Sequence, residues 1–243
     1  MSSINTNYLT NKTYWQVDGS GTMWDGFKFG IPGLYYYYDS DFVKFVADEW
    51  TVTEVDAGAN ATDQLLLDRS EGWLRIKGAG NEDDGAQLQL GGTGNGETVG
   101  ESFAPVANKK IFFETEIFMA DATQSDFFIG LHVEDTTIIA SRGADYIGFR
   151  KDDGDAALDI ESCSGSSASD ITSVATLVDA TVIKLGFVSN GTSSIDFWIN
   201  NVKANTISSD IPTELMKLSI AYLNGEAAEN DININYIRCY QER

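Results

Sequence analysis

The feature that most constrains the fold is a series of short apolar stretches between residues 109 and 150. Within it, KKIFFETEIFM, DFFIGLHVE and YIGFRK alternate or cluster apolar residues at the short spacing of β-strands. Polar segments rich in Asp, Ser and Thr separate the three stretches. The region therefore predicts strand, turn, strand, loop and strand, and it contains no obvious catalytic set.

The same pattern extends over most of the chain. Further stretches read WTVTEVD, GWLRIKG, AQLQL, ALDIES, TVIKLGFVS, SIDFWIN, MKLSIAYLN and DININYIRCY, with clusters of Gly, Asp, Asn and Ser between them. Asn190-Gly191 lies between two apolar runs, which is a strong hairpin signal. About a dozen short strands without an internal repeat predict an all-β fold, an antiparallel β-sandwich or jelly roll, over residues 46–243.

Residues 1–45 differ from the rest because they are rich in Asn, Gly and aromatics and show no sustained period. We interpret them as an irregular N-terminal arm for attachment or oligomerisation. Such an arm must lay its aromatic side chains on the domain or on another subunit. The predicted interface residues are Trp15, Trp24, Phe27, Phe29, Tyr35, Tyr36, Tyr37 and Tyr38. The alternative for the four tyrosines is a first strand of the sandwich with alternate tyrosines half buried.

The charge is strongly acidic, with 37 Asp and Glu against 16 Lys and Arg and a net charge of −21. Such a surface repels phosphate backbones, so we expect no nucleic-acid partner. No apolar run approaches the length of a membrane span, and the first residues lack the features of a signal peptide. We therefore expect no membrane partner. A disulfide between Cys163 and Cys239 is open, but reduced thiols are the preferred interpretation.

Several of these stretches resemble the concanavalin A-like lectin and glucanase superfamily, including its laminin-G-like branch. The resembling pieces are FFETEIF, SDFFIGL, DYIGF, the hairpin LGFVSNGTSSIDFWINN and INYIRCYQ, the last being similar to the closing strand of laminarinase-like glucanases. The resemblance covers residues 46–243 and implies a concanavalin A-like jelly roll. The order of the pieces also resembles tailed-phage virion proteins, in which a lectin-like sandwich decorates the capsid or lies on a fibre.

Retaining glucanases of this superfamily carry a strand reading E-x-D-x-E or E-x-D-x-x-E. The nearest match is Glu114-Thr115-Glu116, whose two carboxylates share one face of a strand, but position 118 is Phe. We interpret the pair as carboxylates on a solvated strand face and expect no enzymatic activity. His132, the single histidine, has no visible nucleophile or second ligand and is interpreted as a strand residue at a boundary or surface.

Two kinds of ligand site remain candidates. The acidic turn after Lys151 could hold calcium through Asp152, Asp153 and Asp155, although Asp and Gly are also common in tight turns, and otherwise no cofactor is expected. Tyr146, Trp73 and Tyr222 are candidate carbohydrate-stacking residues, although buried aromatics are the commoner outcome in a sandwich of this size.

Together with the phage resemblance, these observations predict a non-enzymatic virion structural protein that decorates the capsid. The N-terminal arm would bind the major capsid protein or sister protomers, in a homo-oligomer for which a trimer is one form, and the protein would be found in the virion. The alternative is a carbohydrate-binding, lectin-like module of a virion fibre or surface protein.

Overall fold

The computed structural model describes residues 3–9, 12–18, 21–29, 33–55, 63–67, 72–91, 102–141 and 144–243. For residues 3–9, 12–18, 29 and 63–67 this description covers the backbone only. The predicted interface side chains of Trp15 and Phe29 therefore lie outside it.

The described residues form strands and one short 3-10 turn. The strands are β1 (Ser3–Leu9), β2 (Lys12–Asp18), β3 (Lys28–Phe29), β4 (Tyr35–Ser40), β5 (Trp50–Val55), β6 (Asp63–Leu67), β7 (Trp73–Lys77), β8 (Gly85–Leu90), β9 (Lys110–Met119), β10 (Ser125–His132), β11 (Tyr146–Lys151), β12 (Ala157–Ser164), β13 (Ser167–Thr176), β14 (Ile183–Asn190), β15 (Ile195–Ile199), β16 (Val202–Ile207), β17 (Lys217–Asn224) and β18 (Asp231–Glu242), and the turn is Ala47–Glu49. No helix in these ranges is long and apolar enough to cross a bilayer.

Two antiparallel sheets form a sandwich with the concanavalin A-like jelly-roll fold, which confirms the predicted fold class. The seven-stranded sheet has the order β13-β12-β11-β10-β17-β8-β5. The eight-stranded sheet has the order β16-β15-β14-β9-β18-β7-β6, with β4 also paired to β18. A separate three-stranded sheet contains β1, β2 and β3.

Alternation along each strand explains the core. On β9, Ile111, Phe113 and Ile117 point between the sheets, whereas Phe112, Glu114 and Glu116 lie on the opposite face. The partner sheet contributes Phe127 and Ile129 of β10 to the same cluster. Burial of this continuous apolar layer is the main stabilising contribution in such a sandwich.

The segment before residue 46 is less irregular than the sequence suggests. Tyr35–Ser40 forms β4, which pairs with β18 from Tyr35↔Glu242 to Ser40↔Ile237. Tyr36 and Tyr38 pack against the main core, so the four tyrosines follow the alternation of a sandwich strand. The domain division at residue 45 stays a prediction, but β4 belongs to the eight-stranded sheet.

Both cysteines are buried and free, in agreement with the preferred interpretation of reduced thiols.

Candidate functional site

The outer face of the seven-stranded sheet is closed by residues 133–141, which we call the cover loop. Arg150 of β11 lies beneath it and is fully buried, with its Nε 2.9 Å from Glu161 Oε2. Its Nη1 donates to the carbonyl of Ile139 at 2.9 Å. The guanidinium also lies 5.5 Å from the ring centroid of Phe128. Arg150 therefore joins a buried ion pair to the backbone of the cover loop.

Two glutamines of β8 hold the other side of the cover loop. Gln87 donates to the carbonyl of Asp135 at 2.7 Å and accepts from the N–H of Ile138 at 3.0 Å. Gln89 donates to the carbonyl of Val133 at 3.0 Å and accepts from the N–H of Asp135 at 2.9 Å. The alternating amides of AQLQL thus satisfy loop backbone groups that the sheet itself cannot pair.

His132 also lies under the cover loop. It is fully buried, which corrects the expectation of a boundary or surface position, and its ring stacks on Tyr146 with centroids 5.4 Å apart. Its Nδ1 lies 2.8 Å from the carbonyl oxygen of Val133. Burial lowers the pKa of His132, so the neutral ring is favoured.

Beside the cover loop lies a cavity of about 90 Å³, lined by residues that include Val55, Ala86, Ile139, Ala221 and Leu223. Small-molecule sites usually measure roughly 300–1,000 Å³ and combine apolar walls with convergent polar groups. This cavity beside the cover loop is therefore too small for a sugar chain.

The outer face of the eight-stranded sheet differs because it presents an exposed aromatic ring. Tyr37 of β4 is 65% exposed and stacks on Tyr240 of β18, with centroids 5.2 Å apart and an interplanar angle of 18°. The hydroxyl of Tyr240 donates to Asp39, whose other oxygen lies 3.1 Å from Arg238 Nε. Arg238 in turn lies over Tyr236 at 4.4 Å from the ring centroid. We call these five residues the Tyr37 platform.

The register of two strands, β4 and β18, builds the platform. Tyr37 is paired with Tyr240, and Asp39 is paired with Arg238, across β4 and β18. Burial, followed by the hydrogen bond to Asp39, raises the pKa of Tyr240, so its phenol remains protonated at neutral pH. The platform is thus a fixed set of one exposed ring, a guanidinium and a carboxylate.

Glu114 and Glu116 of β9 adjoin the platform on the same face. Glu114 is paired with Arg238 in the β9–β18 register and is only 4% exposed, which corrects the expectation of a solvated position. Lys184 Nζ lies 3.8 Å from Glu114, yet burial raises the pKa of this carboxyl group. Glu116 accepts a hydrogen bond from the Asn235 side chain at 2.8 Å. The two carboxyl groups therefore sit in different environments on one strand.

Residues 21–29, which we call the arm segment, lie on the same face. Trp24 stacks on Phe112 with centroids 5.7 Å apart, and Phe27 stacks on Tyr35 at 4.6 Å. Met23 approaches the backbone so closely that a Cβ on Gly186 would lie 2.5 Å from its sulfur. The predicted interface residues Trp24, Phe27 and Tyr35 therefore pack on this domain, and Tyr37 alone of the four tyrosines is exposed.

The three aromatics proposed from the sequence for carbohydrate stacking are all buried. Tyr146 lies under the cover loop, Tyr222 lies in the core and Trp73 packs edge-on against Phe118. None of them presents a ring to solvent. Tyr240, Arg238 and Asp39 were not among the residues predicted from the sequence. Period two would have grouped Arg238 with Tyr240 on one side of DININYIRCYQE, but not with Asp39 of YYYYDS.

The candidate calcium residues Asp152, Asp153 and Asp155 lie in an exposed turn after β11. Asp155 accepts the N–H of Ala157 at 2.7 Å, and the N–H of Asp153 donates to Asp126 at 2.7 Å. In the part of the chain that the structure describes, no group of three or more His, Cys, Asp or Glu side chains is arranged to hold a metal ion.

Comparison with solved structures finds the same fold in several glucanases. A Bacillus licheniformis β-glucanase is 14% identical, with a TM-score of 0.57, and the match covers 88% of this chain and 100% of the glucanase. A lichenase from a mouse hindgut metagenome is 12% identical, with a TM-score of 0.56 and coverage of 84% and 98%. The catalytic domain of a Thermotoga petrophila laminarinase is 11% identical, with a TM-score of 0.55 and coverage of 85% and 97%.

No protein-family model matches the chain, and no curated protein sequence matches it significantly. At the identities found, the likeness to solved structures establishes the fold. It nevertheless overturns two expectations from the sequence. The assignment to a capsid decoration protein is wrong, because the resembling structures are glucanases and give no support to a phage role. The exclusion of enzymatic activity is wrong for the same reason, and the alternative of carbohydrate binding agrees better with the comparison.

Proposed function

We propose that this protein binds carbohydrate through the Tyr37 platform. The observation that carries the proposal is the ring of Tyr37, which is 65% exposed and held flat against Tyr240. Aromatic rings that combine an apolar face with a polar tip suit ligands that are part apolar and part hydrogen-bonding. A pyranose ring is such a ligand, because its C–H face is apolar and its hydroxyls project from the rim.

The polar groups beside Tyr37 supply orientation. Asp39 offers acceptor oxygens and Arg238 offers N–H donors, and their mutual contact at 3.1 Å holds both in place before a ligand arrives. Since these groups are already ordered, binding costs less conformational entropy than it would with free side chains. The glucanases that share the fold make β-glucans the first ligands to test.

The test is binding of wild type and Tyr37→Ala to mixed-linkage and β-1,3-glucans, by affinity electrophoresis and calorimetry, preceded by a glycan array. We expect Tyr37→Ala to bind about 2- to 12-fold more weakly, since an aromatic contact contributes about 0.5–1.5 kcal/mol beyond its buried area. Val202→Ala is the matched control, because Val202 is 69% exposed on the edge strand β16. Equal binding by wild type and Tyr37→Ala, or no glycan bound at all, would refute the platform.

A second candidate function is glycan hydrolysis by Glu114 and Glu116. It is favoured by the placement of the two carboxyl groups on one face of β9, with Glu114 in a buried position that raises its pKa, because glycosidases use a pair of carboxyl groups in unlike environments. Substrate could reach Glu114 only if the side chains around it, which include Trp24 of the arm segment, Lys184 and Tyr236, moved aside, since this side chain is 4% exposed. Reducing-sugar release from β-glucans would measure it.

If the pair is catalytic, Glu114→Gln and Glu116→Gln abolish release, whereas Glu54→Gln on the exposed side of β5 leaves it unchanged. Release that survives both active-site substitutions, or its absence in the wild type, would exclude this candidate. Binding by the Tyr37 platform is measured separately and does not depend on the result.

A further inference from the structure

Lys151, the last residue of β11, is fully buried although lysine is among the residues least often buried. An ammonium group removed from water is strongly destabilising unless polar groups replace its hydration. Burial accordingly lowers the pKa of Lys151, while the surrounding aspartates oppose this effect. The environment of this side chain must therefore compensate a full positive charge.

Three backbone carbonyls provide the compensation. Lys151 Nζ lies 3.1 Å from the carbonyl oxygen of Thr123 and 2.9 Å from that of Asp152, and it also donates to the carbonyl of Ser125. A lysine ammonium has three N–H donors, so the three carbonyls match its hydrogen-bonding capacity. We call these three oxygens the carbonyl cage.

The cage is held by hydrogen bonds that do not involve Lys151. Asp121 Oδ1 accepts the N–H groups of Thr123 at 2.8 Å and Gln124 at 2.9 Å. The N–H of Gly154 donates to Thr123 O at 2.9 Å, and that of Gly225 donates to Gln124 O at 3.0 Å. The loop before β10, the turn after β11 and the turn after β17 are thus joined at one corner of the sandwich.

Four aspartates lie near the cage as well. Asp126, Asp155, Asp153 and Asp121 all act on the Lys151 ammonium electrostatically. Asp126 is 8% exposed, and burial raises its pKa to about 6. Converging carbonyl oxygens with nearby carboxylates are the ligand chemistry that calcium prefers in proteins. The corner therefore has the character of a hard-cation site, although a side chain of the chain itself occupies it.

We propose that the Lys151 ammonium is the built-in structural cation of this oxygen-lined site, and that the site binds Ca²⁺ once the ammonium is removed. The acidic turn with Asp152, Asp153 and Asp155, a calcium candidate from the sequence, then lies beside a cation that the chain itself carries. The acidic groups are arranged around a positive charge, and that charge is supplied covalently.

The experiment compares thermal unfolding of wild type and Lys151→Met in millimolar Ca²⁺, in Mg²⁺ and in chelator. The wild type is expected to unfold at one temperature in all three conditions. Lys151→Met is expected to unfold several degrees lower in chelator and to recover several degrees in Ca²⁺, with less recovery in Mg²⁺, which demands stricter octahedral geometry. Terbium is expected to bind at this corner in the variant, where its luminescence reports binding. It is expected not to bind there in the wild type.

Lys217→Met is the matched control. Lys217 is also buried, at 2% exposure, but its ammonium contacts the Glu134 carboxylate at 2.8 Å at a different place on the sheet. This variant is expected to lose stability without recovering it in Ca²⁺. If Lys151→Met responds to Ca²⁺ no more than Lys217→Met does, or stays unfolded even with Ca²⁺ present, the proposal is overturned. Stabilisation of the wild type by Ca²⁺ at this corner would overturn it too.

Discussion

Replacing Arg150 by methionine tests how the cover loop is attached to the seven-stranded sheet. Arg150 is fully buried and Glu161 is 2% exposed, so Arg150→Met removes the positive charge from a buried ion pair. Breaking a buried ion pair in this way destabilises a protein by about 3–5 kcal/mol. The same substitution removes the hydrogen bond to the Ile139 carbonyl. This loss of about 1 kcal/mol is included in the roughly 3–5 kcal/mol.

The double variant Arg150→Met/Glu161→Leu separates the ion pair from the loop contact. Replacing both charges by apolar side chains of similar size is often nearly neutral, so we expect the double variant to recover most of the loss. It should retain a deficit of about 1–2 kcal/mol, because the loop carbonyl still lacks its donor. Urea unfolding followed by circular dichroism measures both free energies of unfolding.

Proteolysis provides the second readout, because Glu134 lies in the cover loop and is a cleavage site for a glutamate-specific protease. Both variants should be cut after Glu134 faster than the wild type, since Arg150 no longer holds the loop backbone. A cost below about 1 kcal/mol for Arg150→Met, or unchanged cleavage in both variants, would show that the ion pair does not hold the loop.

Three further predictions follow from individual contacts. The pKa of Asp126 is about 6 in the folded state and 3.8 ordinarily, so ionisation of this carboxyl group destabilises the fold as pH rises from about 4 through 6. Asp126→Asn should therefore be more stable than the wild type at pH 8, by up to about 3 kcal/mol. The two proteins should not differ near pH 3, and thermal melts at both pH values measure this. Phe27→Ala should lower the free energy of unfolding by about 3 kcal/mol, because the Phe27 ring packs against Tyr35 and Phe112. It should also speed hydrogen exchange in peptides from the arm segment. A Cβ on Gly85 would lie 1.9 Å from the carbonyl oxygen of Tyr222, so Gly85→Ala should cost about 3 kcal/mol or more in urea unfolding, whereas Gly80→Ala, with open space around it, should be neutral.

The strands of the sandwich could be predicted because their signal is local. Alternation in KIFFETEIFM places Ile111 and Phe113 on one side and Glu114 on the other wherever the strand lies. The hairpin at Asn190-Gly191 also has a local signal, which is the Asn-Gly pair itself. In the structure Gly191 adopts a φ of +64°, a backbone conformation that glycine adopts readily. Tyr35–Ser40 was harder, because a run of identical tyrosines has no alternation to show which side is buried.

Which outward-facing residues remain exposed could not be predicted, because that depends on segments distant in sequence. Glu114 faces outward as expected, but it is buried beneath neighbouring side chains. Tyr146 would be a plausible sugar-stacking residue on an open sheet, yet the cover loop buries it. The same holds for Lys151, whose burial depends on carbonyls contributed by a loop 26 and 28 residues earlier in the chain.

The amino-acid sequence alone determined that this chain forms antiparallel strands with a shared apolar side, because side-chain alternation and turn residues act between near neighbours. Which outer face is closed by a loop, and which one presents Tyr37, Asp39 and Arg238 together, depends on the three-dimensional arrangement of the strands. Tyr240 and Asp39 are 201 residues apart in the chain, so the side chains of β4 and β18 form one surface only after the two strands have paired in register.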